Sequence, residues 1–167
     1  MANCVDPSIR SLFNVKDEKA ACGVGFIVSI DGIASHKLLM NAKTLSARME
    51  HRGACSCDNS TGDGAGVLAS IPHQFYAKKI KDSKGIDLPV AGKYATGILF
   101  LDPITHIQAE ELFEVLAAEN ELKVLCWRDV PTDSNCIGEV AKSNEPLMKQ
   151  VFVVPNDDID DNEFKRK

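Results

Sequence analysis

The stretch Cys22-Gly-Val-Gly-Phe-Ile-Val-Ser-Ile30 decides the fold class of this chain. It is an apolar run rich in β-branched residues, which predicts a strand, and it ends at Asp31-Gly32, a dipeptide typical of hairpin turns. The preceding residues 1–21 are mixed and polar, with no amphipathic period. We therefore expect a leader or arm over residues 1–21, an ordered domain from Cys22 onward, and antiparallel strand pairing.

Helices and further strands follow this run. Ser35 is expected to cap a helix whose apolar residues recur at helical spacing, and Gly53 to end it near residues 51–53. Pro72 is placed to open a second, short helix before a loop over residues 81–92. The remaining pattern predicts strands at 64–71, 94–101, 124–130 and 149–154, a long helix at 105–122, and an acidic helix start after residue 156. The connecting helices are few, which favours an α+β fold with layers αββα over a doubly wound sheet.

Composition excludes several classes of function. The 167 residues include 24 acidic and 19 basic side chains, for a net charge of −5, so nucleic acid and acidic membranes are poor partners. No apolar stretch approaches the roughly 20 residues that a membrane helix needs. The first 21 residues resemble neither a secretory signal nor a transit peptide, because Asp6, Asp17 and Glu18 interrupt them. We expect a cytoplasmic protein, with a plastid location still open for a eukaryotic source.

The glycine and cysteine patterns argue against nucleotide and metal sites. Gly23-Val-Gly25 lacks the third glycine of a dinucleotide fingerprint, and Gly62-Asp-Gly-Ala-Gly66 lacks the Lys-Ser/Thr of a phosphate loop. Cys55-Ser-Cys57 has neither zinc-ligand spacing nor a neighbouring histidine. The six cysteines are therefore expected to be free thiols with no bound metal, although a metal-binding protein remains a third, weaker alternative.

Cys22 is the candidate nucleophile. A free thiol has a pKa of about 8.5 and needs a base at neutral pH, yet no histidine lies close to Cys22 in the sequence. Cleavage after Ala21 would make Cys22 the first residue, and its own α-amine, with a pKa of about 7.7–8.0, would then supply the base. The alternative is that Cys22 is a small apolar residue in the core.

Several motifs resemble one family. They are Cys22-Gly-Val-Gly-Phe-Ile, His51-Arg-Gly-Ala, Thr61-Gly-Asp-Gly-Ala-Gly66, Ile71-Pro-His-Gln-Phe75, Trp127-Arg-Asp-Val-Pro-Thr-Asp133 and Glu145-Pro-Leu-Met-Lys-Gln-Val-Phe152. In this order they are similar to the glutaminase domain at the start of the glutamate synthase large chain. The first two are shared with other class II glutamine amidotransferases such as amidophosphoribosyltransferase, and Ala54-Cys-Ser-Cys57 resembles the pyridine-nucleotide-dependent type more than the ferredoxin type.

The resemblance implies a mechanism and a set of site residues. The leader would be removed, and Cys22 would attack the side-chain amide of glutamine, release ammonia and form a thioester that water hydrolyses. Arg52 and Gly53 would support the site, although Arg52 could instead bind the last carbonyls of its helix. Asp63 is expected to be structural, Trp127 to lie in the core and Arg128 at the surface. The implied fold is part of the four-layer αββα sandwich of N-terminal-nucleophile hydrolases, over residues 22–167.

The chain departs from the family in what it lacks. The family takes its oxyanion donors from an Asn-Gly pair, and this sequence has no Asn-Gly dipeptide. We therefore expect a domain that is incomplete at its C-terminal end and nearly inactive alone.

No cofactor is expected in this chain. The full-length family uses FMN, a 3Fe-4S cluster and either NAD(P)H with FAD or ferredoxin, and the expected partners are glutamine and the remaining domains. The alternative from another class is a non-catalytic scaffold that binds a partner or regulatory ligand.

Overall fold

The computed structural model describes residues 23–49, 60–62, 64–156 and 160–166. They form a mixed α+β structure in which every strand pair is antiparallel, as the sequence predicts. In chain order the elements are α1 (His36–Arg48), α2 (His73–Lys84), β1 (Ala95–Leu101), α3 (His106–Glu119), β2 (Leu122–Asp129), α4 (Glu139–Lys142), β3 (Leu147–Pro155) and α5 (Asp161–Phe164). The described part contains no helix that is long and apolar enough to span a membrane.

The structure divides into two units, residues 1–56 with 62–67 and residues 57–61 with 68–167. In the first unit, the side chain of Ser35 accepts a hydrogen bond from the backbone N–H of Leu38, which confirms the predicted cap of α1. The helix ends at Arg48, earlier than the predicted stop near residues 51–53. There the N–H of Met49 bonds the carbonyl of Ser46 at 3.0 Å, and this tighter bond closes the last turn.

The predictions of strands over residues 22–30 and 64–71 are wrong for the described residues. Residues 23–29 and 64–71 carry no strand hydrogen-bond pattern. Apolar side chains there are largely exposed, with Phe26 at 89 % and Leu68 at 102 % of full exposure. The β-branched composition favours an extended backbone, but a strand also requires a hydrogen-bonded neighbour, which these residues do not have among the described ones. The predicted turn is present, since the N–H of Gly32 bonds the carbonyl of Ser29 and Gly32 has a φ of +67°.

In the second unit three strands form a sheet in the order β1-β3-β2. They correspond to the strands predicted at 94–101, 124–130 and 149–154, with ends that differ by at most two residues. The central strand β3 pairs with both neighbours, with Thr96 and Cys126 opposite Phe152 and with Ile98 and Arg128 opposite Gln150. A bulge between Val124 and Cys126 shifts the register of β2 by one residue.

Helix α2 packs on one face of this sheet. Ile80 on α2 and Phe152 on β3 are fully buried, and Tyr94 and Cys126 complete the same cluster. The ring of Tyr76 meets Phe152 edge-on, with centroids 5.4 Å apart. The helix runs to Lys84, four residues into the predicted loop, and ends at Gly85, whose φ of +69° permits the left-handed cap.

Helix α3 packs on the opposite face. The ring of Phe113 lies edge-on to Trp127, with centroids 5.3 Å apart, and the indole N–H of Trp127 donates to Glu114 at 2.9 Å. Lys149 on β3 lies between Asp129, at 2.7 Å, and Glu110 on α3, at 3.7 Å. Aromatic packing and charge pairing therefore both attach α3 to the sheet.

A short helix, α5, ends the described chain. The carboxylate of Asp160 accepts the backbone N–H groups of Asn162 and Glu163, at 2.7 and 3.0 Å, and thus caps it. Phe164 is 8 % exposed. The acidic helix start expected after residue 156 is therefore present, and its apolar residue is buried.

Candidate functional site

The three predicted site residues, Cys22, Arg52 and Gly53, lie outside the described residues, as does Asp63. The structure does describe the segment that follows Cys22 directly and the helix α1 that precedes Arg52 in sequence. These two neighbours of the candidate site belong to the same unit. The geometry between them is the part of the site that the structure defines.

Gly25 holds this segment against α1. A Cβ atom built on Gly25 would lie 3.1 Å from Cδ1 and 3.2 Å from Cγ of Leu45, and it would overlap Cδ2. A side chain at residue 25 would therefore require the side chain of Leu45 to shift, and glycine allows the close approach without that shift. Leu45 lies near the end of α1, which stops four residues before Arg52. This contact therefore brings the segment after Cys22 next to the helix that leads to Arg52.

Sequence reasoning missed the role of Gly25. The Gly23-Val-Gly25 spacing does not match a nucleotide-binding motif, and the glycines between Gly23 and Gly66 instead predict turns or close backbone approaches without naming the partner of Gly25. The signal that could have found it is the pairing of a glycine in an apolar run with a leucine on the apolar side of the next helix. Such a pairing is typical of a place where the backbone of an extended segment closely approaches a helix.

The thiols that the structure describes do not form a competing nucleophilic site. Cys126 is buried between α2 and the sheet, and desolvation raises the pKa of its thiol above the ordinary value, which disfavours the thiolate. Cys136 is exposed, and its Sγ lies 3.5 Å from a carboxylate oxygen of Asp133. Both are free thiols, as the sequence predicts.

Two of the three described histidines have side-chain partners of their own. The ring of His73 bonds the hydroxyl of Tyr94 at 3.2 Å, and that of His106 bonds Glu110 at 2.9 Å. Over residues 23–49, 60–62, 64–156 and 160–166, no group of three His, Cys, Asp or Glu side chains could hold a metal ion. Cys55 and Cys57 lie outside these ranges, so the metal-binding alternative for them stays a prediction.

One open cleft of about 520 Å³ lies in the second unit. It is lined by Ser60, Asn135, Cys136, Ile137, Gly138 and Glu139. The carboxylate of Glu139 is paired with Lys142 at 2.8 Å, and Asn135 bonds Asp133.

Trp127 and Arg128 lie next to each other on β2 but on opposite faces. Trp127 packs against α3, as expected of a core residue, although its indole N–H donates to the exposed carboxylate of Glu114. Arg128 lies at the surface of the sheet, as expected, but its side chain is half-buried and donates to the amide oxygen of Gln150 at 2.7 Å. Gln150, which is 2 % exposed, was not singled out from sequence, since the strand pattern alone predicts an apolar residue there.

Comparison with known proteins assigns the family. A family model described as class-II glutamine amidotransferases matches residues 22–167. The NADH glutamate synthase of Saccharomyces cerevisiae is 43 % identical over 157 residues, which cover 90 % of this chain and 7 % of that protein. The NADH glutamate synthase of Schizosaccharomyces pombe is 39 % identical, with 89 % and 7 % covered. The ferredoxin-dependent glutamate synthase of Pyropia yezoensis is 36 % identical, with 85 % and 9 % covered.

These relatives are much longer than the chain, which spans about a tenth or less of their length. The family match nevertheless extends over most of the 167 residues and begins at Cys22. The α+β structure with antiparallel strands is consistent with part of the sandwich fold expected of this family. The chain belongs to the class-II glutamine amidotransferases.

Proposed function

We propose that this chain is the glutaminase part of a glutamate synthase and that Cys22 is its nucleophile. The observation that carries the proposal is that the family match begins at Cys22, the candidate nucleophile of the sequence analysis. The similarity to glutamate synthases over about nine-tenths of the chain supports the choice among amidotransferases. The ammonia released by this part would be added to 2-oxoglutarate in the rest of the longer enzyme, and reduction with two electrons from NAD(P)H or ferredoxin would then give L-glutamate.

The chemistry requires a thiolate at the start of the mature chain. Removal of residues 1–21 would leave Cys22 with a free α-amine, whose pKa of about 7.7–8.0 suits a base that works at neutral pH. The amine takes the thiol proton, sulfur attacks the amide carbon, and the proton passes to the leaving ammonia. Water then hydrolyses the γ-glutamyl thioester, which frees glutamate and restores the thiol.

Arg52 and Gly53 are proposed to support this centre. The contact between Gly25 and Leu45 brings the segment after Cys22 beside α1, and only three residues separate α1 from Arg52 in sequence. A guanidinium at that position would orient the cysteine loop through hydrogen bonds, and Gly53 would leave room for it. The groups that stabilise the oxyanion and hold the ends of glutamine would come from parts of the enzyme outside these 167 residues.

The same proposal covers the electron donor and the cofactors. The NADH-type relatives are 39 % and 43 % identical to the chain, and the ferredoxin-type relatives 36–37 %, which favours the pyridine-nucleotide type. FMN and an iron–sulfur cluster would be bound by the remaining domains. This chain would bind glutamine and those domains.

The test is covalent labelling of the native gene product with a glutamine analogue that carries an electrophile, followed by peptide mass spectrometry. We expect one labelled residue, Cys22, with protection by L-glutamine and loss of the label in Cys22→Ser. Cys136→Ser is the matched control, because Cys136 is an exposed thiol remote in sequence from the motif, and it should label as the unmodified enzyme does. Label on Cys136, or labelling that glutamine does not slow, would contradict the proposal.

A further inference from the structure

Helix α2 covers the row of Phe152 on one face of the sheet, and the next rows of the same face lie beyond the helix. Ile98, Gln150 and Arg128 lie directly opposite one another on β1, β3 and β2, and therefore project from the same face. Phe100 and Met148 form the next row on that face. We call these five residues the Arg128 face.

The centre of the Arg128 face is a chain of hydrogen bonds across all three strands. The guanidinium of Arg128 donates to Oε1 of Gln150 at 2.7 Å, and Nε2 of Gln150 donates to Oγ1 of Thr96 at 3.0 Å. The hydroxyl of Thr96 donates in turn to the carbonyl of Val151 at 2.8 Å. Both polar atoms of the Gln150 side chain are therefore hydrogen-bonded, and the bond to Oε1 fixes the position of the Arg128 guanidinium.

The positive charge of Arg128 is not balanced within the described residues. Its only hydrogen bond there goes to a neutral amide, and none of the described ion pairs includes it. A guanidinium has five N–H donors, so most of them have no acceptor in the described part of the chain. A half-buried cation without a counterion is costly, and the cost falls when a carboxylate binds it.

The surroundings of this cation are apolar and exposed. Ile98 is 51 % exposed and Phe100 is 67 % exposed, although both lie on the same face as the buried Gln150 and Phe152. Neighbouring exposed apolar side chains on a sheet face mark a surface that another element covers. A cation fixed within an apolar surface selects a partner that carries the opposite charge among apolar groups.

We propose that the Arg128 face is a docking surface for a polypeptide segment that presents an Asp or Glu carboxylate between aliphatic side chains. The carboxylate accepts two N–H groups of Arg128, while the aliphatic side chains cover Ile98 and Phe100. Gln150 is a positioning residue, since it holds the guanidinium toward the partner. This role is separate from the glutaminase chemistry, and neither depends on the other.

The test is a titration of the 15N-labelled 167-residue chain with two capped tripeptides, Leu-Glu-Leu and Leu-Gln-Leu, followed by NMR. We expect saturable shifts of the Arg128 side-chain N–H and of residues 98–100 with the Glu peptide, and at least about tenfold weaker binding of the Gln peptide. Arg128→Met should remove the difference between the peptides. Lys123→Met is the matched control, because Lys123 is an exposed cation on the same strand, and it should leave the difference unchanged.

A second variant tests the unbalanced charge itself. Gln150→Glu would supply a carboxylate next to Arg128 from within the chain, so we expect loss of Glu-peptide binding. Equal binding of both peptides, or Glu-peptide binding that persists in Gln150→Glu, would overturn the proposal. A concentration-dependent dimer that Arg128→Met abolishes would overturn it too, since it would assign the face to a second copy of the chain.

Discussion

Replacement of Phe152 by alanine should remove a large part of the stability of the sheet unit. Phe152 is fully buried, with the rings of Tyr76 and Tyr94 at centroid distances of 5.4 and 6.0 Å. These rings extend from α2 and from the residue before β1, so they cannot collapse into the space without moving both elements. Deletion of a buried phenylalanine side chain costs about 3–5 kcal/mol, which includes the cavity that remains.

The assay is urea unfolding followed by the fluorescence of Trp127, the only tryptophan in the chain. Trp127 reports on the sheet and α3, because its ring packs against Phe113. With a denaturant slope of about 2 kcal/mol per molar urea, a loss of about 4 kcal/mol lowers the midpoint by about 2 M.

Phe100→Ala is the matched control for this experiment. Phe100 lies on the same sheet but is 67 % exposed, so we expect a change within about 0.5 kcal/mol. Similar midpoints for the two variants would refute the assignment of the core to the cluster around Phe152. A loss at Phe152 below about 1 kcal/mol would refute it as well.

Three further predictions concern the charge pair on the sheet, the close approach at Gly25 and the activity of the isolated chain. The hydrogen bond from Lys149 lowers the pKa of Asp129, so its stabilisation is present above the unfolded pKa of about 3.9 and is lost as the pH falls through the folded pKa. Asp129→Asn should therefore lower the stability of the chain at pH 7, by less than about 1 kcal/mol because Asp129 is 78 % exposed. In acid the stability of the variant should become equal to that of the unmodified chain. Equal urea midpoints at pH 7 would contradict this prediction. Gly25→Ala should reduce the glutaminase activity of the native enzyme because its Cβ meets Leu45, and Leu45→Ala in the same enzyme should partly restore it; absence of any coupling between the two changes would contradict the contact. The 167-residue chain alone should hydrolyse glutamine barely or not at all in an ammonia-release assay, because it lacks the Asn-Gly oxyanion donors of the family, and turnover that Cys22→Ala abolishes would contradict this.

Local patterns predicted the elements whose partners lie within the described chain. Ser35 caps α1 because its hydroxyl reaches an unpaired N–H of the first turn, which is a local property. The strand around Phe152 was predictable because both of its neighbours are present to pair with it. The run after Cys22 has an equally strong β pattern but no strand pairing among the described residues, and composition cannot supply a missing neighbour.

The site was predictable only in part, for a related reason. The special position of Cys22 and the motif around Arg52 can be recognised in sequence, whereas contacts between distant residues cannot. The close approach at Gly25 involves the side chain of Leu45, 20 residues later. The hydrogen bonds of the buried Gln150 involve Arg128 and Thr96 on two other strands. Such contacts are set by register and packing, which a one-dimensional pattern leaves open.

The central claim is that Cys22, as the first residue of the mature enzyme, attacks glutamine with its own α-amine as base. The N-terminal sequence and intact mass of the enzyme isolated from its native source test this claim most directly. The account predicts a mature chain that begins at Cys22, without residues 1–21. An active enzyme that still begins at Met1 or Ala2 would contradict it, because Cys22 would then have no free α-amine.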